Sequence, residues 1–146
     1  CLIPADGFYE WQSRGKGAPK QPFHIHRPDG EPFTFAGLWE RWEKGGEPVE
    51  TFTIVTTDAP ESLKPIHHRA PVILLGDHME HWLATSQEAT DGLAELLTAL
   101  PDGELIADPV TTLVNNVRND SPDCLEPANE DEPQPAPKSA QGDLFG

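Results

Sequence analysis

Residues 1–12 read Cys-Leu-Ile-Pro-Ala-Asp-Gly-Phe-Tyr-Glu-Trp-Gln, and this stretch sets the character of the fold. An apolar strand starts at Leu2–Ile3, and Gly7 to Gln12 alternates like a second strand. Up to position 57 the chain repeats short apolar runs separated by loops and turns that contain Gly and Pro. The further strands that this pattern predicts are Phe23 to His26, Phe33 to Trp39 and Val49 to Thr57.

The second half of the chain mixes strand and helix signals. Val72 to Leu75 is a short apolar strand, and Asp77 to Leu83 reads as a helix with Asp77 as its candidate N-cap. Gln87 to Leu100 is predicted as an amphipathic helix ended by a proline. Its leucines at positions 93, 96, 97 and 100 follow the spacing of one helical face. Leu105 to Leu113 returns to strand and loop.

Composition and element order predict one domain over residues 1–127 and a disordered acidic, proline-rich tail over 128–146. The 16 prolines and 12 glycines favour many short elements joined by turns. We expect an α+β fold with a β-barrel-like core of short, mostly antiparallel strands and a few peripheral helices.

The cysteine content and hydropathy exclude several protein classes. The two cysteines, Cys1 and Cys124, make neither a disulfide framework nor a structural zinc site. No apolar run approaches the ~20 residues needed to span a bilayer, and the start does not resemble a signal peptide. We therefore expect a cytoplasmic protein without a cofactor or a membrane partner.

The net charge of −15 argues against nucleic-acid binding, because phosphate neutralisation supplies much of the affinity for DNA. Acidic residues crowd the second half of the chain, however, while the basic residues lie in its body. A small basic groove is compatible with this distribution, and it predicts weak, salt-sensitive DNA binding. The basic residues of the body are Arg14, Lys16, Lys20, Arg27, Arg41, Lys64, Arg69 and Arg118.

Glu10 is the first candidate catalytic residue. On a strand, Phe8 and Glu10 share one face, and Tyr9 and Trp11 share the other. A carboxylate among bulky apolar residues is costly to ionise, which suits it to proton transfer. The alternative is a strand-edge glutamate that faces solvent.

Residues 66–71, Ile-His-His-Arg-Ala-Pro, contain the second candidate group. If the run is extended, His67 and Arg69 project to one side and His68 to the other. An imidazole beside a guanidinium suits a phosphate or oxyanion site. We expect no metal site, since no Cys, His or Asp spacing completes a ligand set. The alternative is a surface loop.

Aromatic and amide side chains suggest a nucleic-acid surface. Trp11, Trp39 and Trp42 can stack on unpaired bases, although for Trp39 strand packing is the preferred reading. Asn115 and Arg118 lie in a predicted loop and are candidates for phosphate-backbone contacts. The alternative there is a turn stabilised by asparagine side chains.

Cys1 to Trp11 closely resembles a signature block of the SOS response-associated peptidase family, the abasic-site processing proteins. Further blocks follow in the family's order, so that the resemblance covers roughly residues 1–127. These blocks are Lys20–Pro22, Phe35–Glu40, Thr53–Ala59, Ile66–Leu74 and Val114–Asn116.

The resemblance implies a covalent reaction with damaged DNA. A cysteine exposed by removal of the initiator methionine joins the aldehyde of an abasic site in single-stranded DNA and forms a reversible DNA–protein crosslink. In this scheme Glu10 works in proton transfer and His67 assists Schiff-base chemistry and reversal. Arg69 contacts DNA phosphate, and Trp11 lies beside the DNA.

The sequence departs from the family pattern in two respects. The family's nucleophile lies upstream of the signature block, and Cys1 aligns with an internal cysteine. An upstream Asn-Arg block that helps bind DNA is also absent, so the 146 residues alone are predicted to lack crosslinking activity. Ala70 stands where the family usually has methionine, which predicts looser packing beside His67.

Residues 141–145, Gln-Gly-Asp-Leu-Phe, resemble the peptide by which bacterial repair proteins hold the sliding clamp. Gln141, Leu144 and Phe145 are the candidate clamp-binding residues. Two other functions stay open at this point. One is a cysteine peptidase that acts on other proteins, and the other is a non-catalytic module that binds single-stranded DNA.

Overall fold

The computed structural model describes residues 1–84 and 92–128 as short strands, two helices and two 3-10 turns. The strands are β1 (Leu2–Ala5), β2 (Phe8–Gln12), β3 (Gln21–His26), β4 (Phe33–Trp42), β5 (Val49–Ile54), β6 (Thr56–Asp58), β7 (Arg69–Pro71), β8 (Ile73–Leu74) and β9 (Ile106–Pro109). The helices are α1 (Asp77–Ala84) and α2 (Leu93–Leu96), and the 3-10 turns are Thr112–Asn115 and Pro122–Leu125. No described helix is long and apolar enough to cross a membrane.

The strands form three sheets in which every pair is antiparallel. In the four-stranded sheet, β4 is central: β1 and β8 flank its first half, and β5 pairs with its second half. The three-stranded sheet has the order β2-β3-β9, and β6 pairs with β7. Together with the helices, this arrangement confirms the predicted α+β class with mostly antiparallel strands.

The core forms where the sheets face each other. Phe8 of β2 packs edge-on against Phe33 and Phe35 of β4, with ring centroids 6.5 and 5.7 Å apart. Aromatic pairs in this geometry stabilise a fold by about 0.5–1.5 kcal/mol beyond their buried area. A second buried cluster, around Ala36, Val72 and Leu74, is covered by the two helices. Phe8 thus fixes the orientation of β2, and with it the face on which Glu10 lies.

Several predicted elements are confirmed by the structure. The strands at Leu2, Gly7–Gln12, Phe23–His26 and Phe33–Trp39 correspond to β1 to β4. The predicted helix at Asp77–Leu83 corresponds to α1, which places the Asp77 carboxylate in the first turn, where the helix dipole favours it.

The predicted strand from Val49 to Thr57 is two strands, because Val55 changes partners. The Val55 amide donates to the Ala36 carbonyl at 2.9 Å, and the Val55 carbonyl accepts from the Val72 amide at 2.9 Å. The chain therefore leaves the β4–β5 ladder at Val55 and continues as β6 beside β7.

The prediction of a helix up to Leu100 is wrong at its C-terminal end. The described helix α2 spans only Leu93–Leu96, and residues 85–91 lie outside the described residues. Leu96 and Leu93 pack in the helix-covered cluster, whereas Leu100 packs against the aromatic core. The Leu97 carbonyl accepts a hydrogen bond from Thr57 Oγ1 at 3.0 Å. The leucine spacing therefore reflects two separate burial sites rather than one helical face.

The expectation of a barrel-like core is not confirmed. Within residues 1–84 and 92–128, β5 and β9 are each paired along one side only, and no sheet closes on itself. A barrel requires every edge to be paired. The predicted tail and the clamp-like residues Gln141, Leu144 and Phe145 lie outside the described residues.

Candidate active site and nucleic-acid interface

Glu10 lies on the inner face of the β2-β3-β9 sheet. Tyr9 and Trp11 occupy the outer face, as strand alternation predicts, and their rings are 6.4 Å apart. The Glu10 side chain is 25% exposed, so it is sheltered but reachable from solvent. Glu10 thus lies on an edge strand, as the alternative held, but most of its side chain is sheltered from solvent.

His67 follows a compact turn that is anchored on the buried Leu63. The Ile66 and His67 amides donate to the Leu63 carbonyl at 2.9 and 3.0 Å. Gln12 on β2 donates from Nε2 to the Pro65 carbonyl at 3.0 Å. This bond joins the strand that carries Glu10 to the segment that carries His67.

The structure brings Glu10 and His67 together. His67 Nδ1 lies 3.8 Å from Glu10 Oε1, and the His67 side chain is 40% exposed. The shortest contact of Nδ1 is to the Arg69 carbonyl, at 2.9 Å. Whether Nδ1 donates or accepts in this contact depends on the tautomer of the ring. An imidazole this close to a carboxyl group can exchange a proton with a bound molecule.

The expected extended run from Ile66 to Pro71 is wrong in its first half. Only Arg69–Pro71 is strand, and the Arg69 amide also approaches His67 Nδ1 at 3.3 Å. The rings of His67 and His68 lie 4.7 Å apart instead of pointing to opposite sides. The local turn at His67 causes this, because the period-two alternation of a strand does not apply there.

Arg69 is held across the β6–β7 pair. Its guanidinium donates to Asp58 Oδ1 at 3.0 Å, and to the carbonyl and hydroxyl of Thr56 at 2.6 and 3.1 Å. Asp58 is largely exposed. Arg69 is therefore a fixed surface cation whose charge is partly neutralised by one carboxylate.

Trp11 and Asn115, which are far apart in sequence, are direct partners. Trp11 Nε1 donates to Asn115 Oδ1 at 2.6 Å. Asn115 ends the first 3-10 turn, which Thr111 caps by accepting from the Leu113 amide at 3.4 Å. The Arg118 amide donates to Asn116 Oδ1 at 3.1 Å. Asn116 thus stabilises a turn, as the alternative reading held, whereas Asn115 positions an aromatic ring.

Sequence reasoning missed the residues that connect the site. Gln12, Asp58 and Thr56 belong to it only because of contacts between distant segments. The β2–β3 register also places His24 beside Tyr9, with ring centroids 5.6 Å apart. Burial, followed by the nearby His26, lowers the pKa of His24. The alternating apolar residues of β3 indicate that His24 lies on a strand. They do not indicate that Tyr9 is its neighbour across the sheet.

Cys1 directly precedes β1 and bonds to β4 of the four-stranded sheet. Its amine donates to the Gly37 carbonyl at 2.8 Å, and its carbonyl accepts from the Gly37 amide at 2.9 Å. Trp82 Nε1 of α1 also donates to the Cys1 carbonyl at 3.1 Å. Cys124 is buried and free. In the described part of the chain, no group of three or more His, Cys, Asp or Glu side chains is placed to hold a metal ion.

Comparisons with known proteins agree with the sequence blocks. The family model described as SOS response associated peptidase (SRAP) matches residues 1–117. The chain is 42% identical to Abasic site processing protein HMCES of Gallus gallus, over 87% of this chain and 43% of that protein. It is 41% identical to Abasic site processing protein YoaM of Bacillus subtilis, over 88% of this chain and 57% of that protein.

A solved structure of a protein from Bacteroides thetaiotaomicron has a TM-score of 0.75 and 31% identity, and covers 88% of this chain and 56% of its own. The chain thus spans about half the length of the relatives that it matches. Since the family model covers most of the sequence, the chain belongs to the SOS response-associated peptidase family.

Proposed function

We propose that this chain is part of an abasic-site processing protein, which binds single-stranded DNA and forms a covalent crosslink at abasic sites in the response to DNA damage. The observation that carries the proposal is the approach of His67 to Glu10, at 3.8 Å, on a partly open surface. The names of the two relatives quoted above, both abasic site processing proteins, support it.

The proposed chemistry begins at the aldehyde that an abasic deoxyribose exposes when its ring opens. An amine adds to the aldehyde carbon, and loss of water leaves a Schiff base. The amine belongs to an N-terminal cysteine, and the thiol of that cysteine then adds to the imine carbon. The thiol proton passes to the nitrogen, and a thiazolidine ring closes. We assign the amine and thiol to a cysteine outside the 146 residues.

Two proton transfers in this sequence need a positioned acid and base. The departing hydroxyl must receive a proton, and the attacking amine must lose one. We assign both transfers to the Glu10–His67 pair, which takes the proton from the amine and returns it to the departing hydroxyl. Run in reverse, the same groups release the DNA.

The DNA-holding role is assigned to Trp11, Asn115, Arg69 and Arg118. The bond from Trp11 to Asn115 fixes the indole, which favours stacking on an unpaired base. The Arg69 guanidinium, held on β7 next to His67, suits a phosphate. We further propose that Gln141, Leu144 and Phe145 bind the sliding clamp, and that the protein acts as a monomer at the bacterial nucleoid.

The test uses the longer protein with its N-terminal cysteine and a labelled single-stranded oligonucleotide with one abasic site. Glu10→Gln and His67→Ala are each expected to slow crosslink formation on the order of a hundredfold, measured as a shifted band on a denaturing gel. Glu31→Gln and His78→Ala, at exposed positions, serve as matched controls. Unchanged formation and reversal in both active-site variants refutes the assigned roles.

The family's description favours one second function, peptide-bond hydrolysis in other proteins. A peptidase also needs a nucleophile with an acid–base pair. Cleavage of an unrelated peptide by the longer protein, lost in the Glu10 and His67 variants, is the outcome that favours this function over crosslinking.

A further inference from the structure

The loop that joins β2 to β3 is basic, although the chain as a whole is acidic. Residues 13–20 read Ser-Arg-Gly-Lys-Gly-Ala-Pro-Lys and carry three cations and no carboxylate, in a protein of net charge −15. We call this segment the basic loop. The loop that joins β4 to β5 has the opposite character, since residues 43–48, Glu-Lys-Gly-Gly-Glu-Pro, carry one cation and two carboxylates.

The cations of the basic loop are not neutralised by carboxylates. Within residues 1–84 and 92–128, neither Lys16 nor Lys20 is in an ion pair, and both are exposed. Arg14 donates from Nη2 to Oε1 of Gln21 at 2.5 Å, and this acceptor is neutral, so the guanidinium keeps its full charge. By contrast, four other cations of the same ranges are paired with carboxylates, namely Arg27, Arg41, Lys64 and Arg69.

A buried side chain holds the base of this loop in place. Gln21 is 5% exposed, and its Nε2 donates to the Val110 carbonyl at 2.8 Å. Val110 directly precedes the cap of the first 3-10 turn, and Asn115 at the end of that turn accepts from Trp11. Arg14 and Trp11 are thus tied to the same turn, which fixes the cation relative to the indole.

Lys16 lies at the tip of the basic loop. Gly15 and Gly17 on either side of it have φ values of 102° and 86°, in the region that favours glycine. The Ala18 amide closes the turn by donating to the Gly15 carbonyl at 3.4 Å. An added Cβ at either glycine would meet no atom within 4 Å, so the tip is open to an approaching ligand.

The opposite end of the same hairpin carries acidic partners. His26 Nε2 lies 3.1 Å from Asp108 Oδ2, and Arg27 pairs with Asp29. A polyanion in contact with Trp11 is therefore attracted toward the basic loop and not toward the His26 end.

We propose that the basic loop is a phosphate-binding subsite for the single-stranded DNA whose base stacks on Trp11. This inference rests on the proposed function and adds a second subsite to it, outside the Glu10–His67 pair. Proteins that bind single strands combine cations along the backbone with aromatic rings for the bases, and the β2–β3 hairpin offers both. Arg14, Lys16 and Lys20 contact phosphates next to the stacked nucleotide, and such contacts carry no sequence preference.

The test measures the binding of undamaged twelve-nucleotide oligothymidine to the longer protein, by fluorescence anisotropy at several salt concentrations. Lys16→Gln/Lys20→Gln is expected to weaken binding on the order of tenfold at low salt. It should also reduce the slope of log affinity against log salt by about 1.4, the value for two lost contacts to single-stranded phosphate. The control Arg41→Gln/Lys44→Gln removes the same charge from the β4–β5 hairpin and should leave the slope unchanged.

The crosslinking rate separates a binding subsite from a catalytic role. With an abasic oligonucleotide, Lys16→Gln/Lys20→Gln should need more DNA to reach half of the maximal rate. At saturating DNA it should reach the rate of the parent protein, because Glu10 and His67 are unchanged.

Three outcomes overturn the proposal. Equal affinity and slope in the two double variants mean that the basic loop contacts no phosphate. Displacement of oligothymidine by an equal concentration of twelve-residue polyglutamate, lost in Lys16→Gln/Lys20→Gln, means that the loop takes an acidic polypeptide. A reduced rate at saturating DNA means that the loop acts on the chemistry. The expected slopes without any crosslink in the parent protein, in contrast, support the subsite and refute only the proposed covalent chemistry.

Discussion

At the scale of single residues, the site depends on contacts that no local pattern encodes. Glu10 and His67 were each identifiable from the sequence, since one lies in an alternating strand and the other in a family block. Their meeting depends on the bond from Gln12 to the Pro65 carbonyl, at 3.0 Å. Residue identity predicts which groups are reactive, whereas only the packing of the turn against β2 predicts that they are neighbours.

His24 makes stability depend on pH. Its pKa is lowered first by burial and then by His26, while Asp6 and Asp108 act in the opposite direction. Tyr9, which also titrates, lies beside the ring, with centroids 5.6 Å apart. Below about pH 6.5 the unfolded chain binds a proton that the folded chain binds less readily. Stability contributed by neutral His24 is therefore present above this pH and is lost as the pH falls through it.

His24→Gln is expected to lessen this loss. The free energy of unfolding in urea, measured at pH 7.5 and at pH 5, should fall less in the variant than in the parent chain. His78→Gln, at an exposed helical position, is the control. An equal fall in the parent chain and in His24→Gln contradicts the role of burial at this ring.

At the scale of elements, sequence reasoning succeeded where one strand face is buried and failed where burial switches between clusters. β2 and β4 form as predicted, and Phe8, Phe33 and Phe35 meet in one core. The predicted helix over Gln87–Leu100 failed at its end because Leu96 and Leu100 pack in different clusters. Hydrophobic spacing indicates which residues are buried, but not that they share a partner.

The approach of β2 to β3 requires a glycine at position 7. A Cβ there would lie 2.1 Å from Nε2 of His24, far inside contact distance. Gly7→Ala is therefore expected to displace the ring and to destabilise the fold by about 1–3 kcal/mol, measured by urea unfolding. The double variant Gly7→Ala/His24→Ala should lose less than the sum of the single variants, because the obstructing ring is gone. Additive losses contradict this steric account.

At the scale of the whole molecule, the charge of −15 opposes the proposed binding of DNA. The composition shows the excess of negative charge. It does not show where single cations are placed to offset that charge locally. Arg69 is such a cation, and in the proposed complex Asp58, which already accepts a hydrogen bond from it, would compete with the DNA phosphate. The balance at this one pair should therefore influence the affinity for a polyanion.

Asp58→Asn is expected to strengthen the binding of single-stranded oligothymidine severalfold, and Arg69→Gln to weaken it. Arg69→Gln should also reduce the slope of log affinity against log salt by about 0.7, the value for one lost contact to single-stranded phosphate. Fluorescence anisotropy at two salt concentrations measures both effects. Glu31→Gln, which makes a similar change of charge at an exposed position, is the control. Equal affinities for Asp58→Asn and Glu31→Gln show that only net charge matters.

The position of Val55 has a consequence for how the molecule comes apart. Its amide is committed to Ala36 of β4 and its carbonyl to Val72, the residue that follows β7. Val55 therefore links the β4–β5 hairpin to the segment that follows β7, the strand of Arg69. Neither region can unfold without breaking one of these two hydrogen bonds. On heating, the β4–β5 hairpin and the β6–β7 pair should unfold in a single cooperative transition instead of two successive ones.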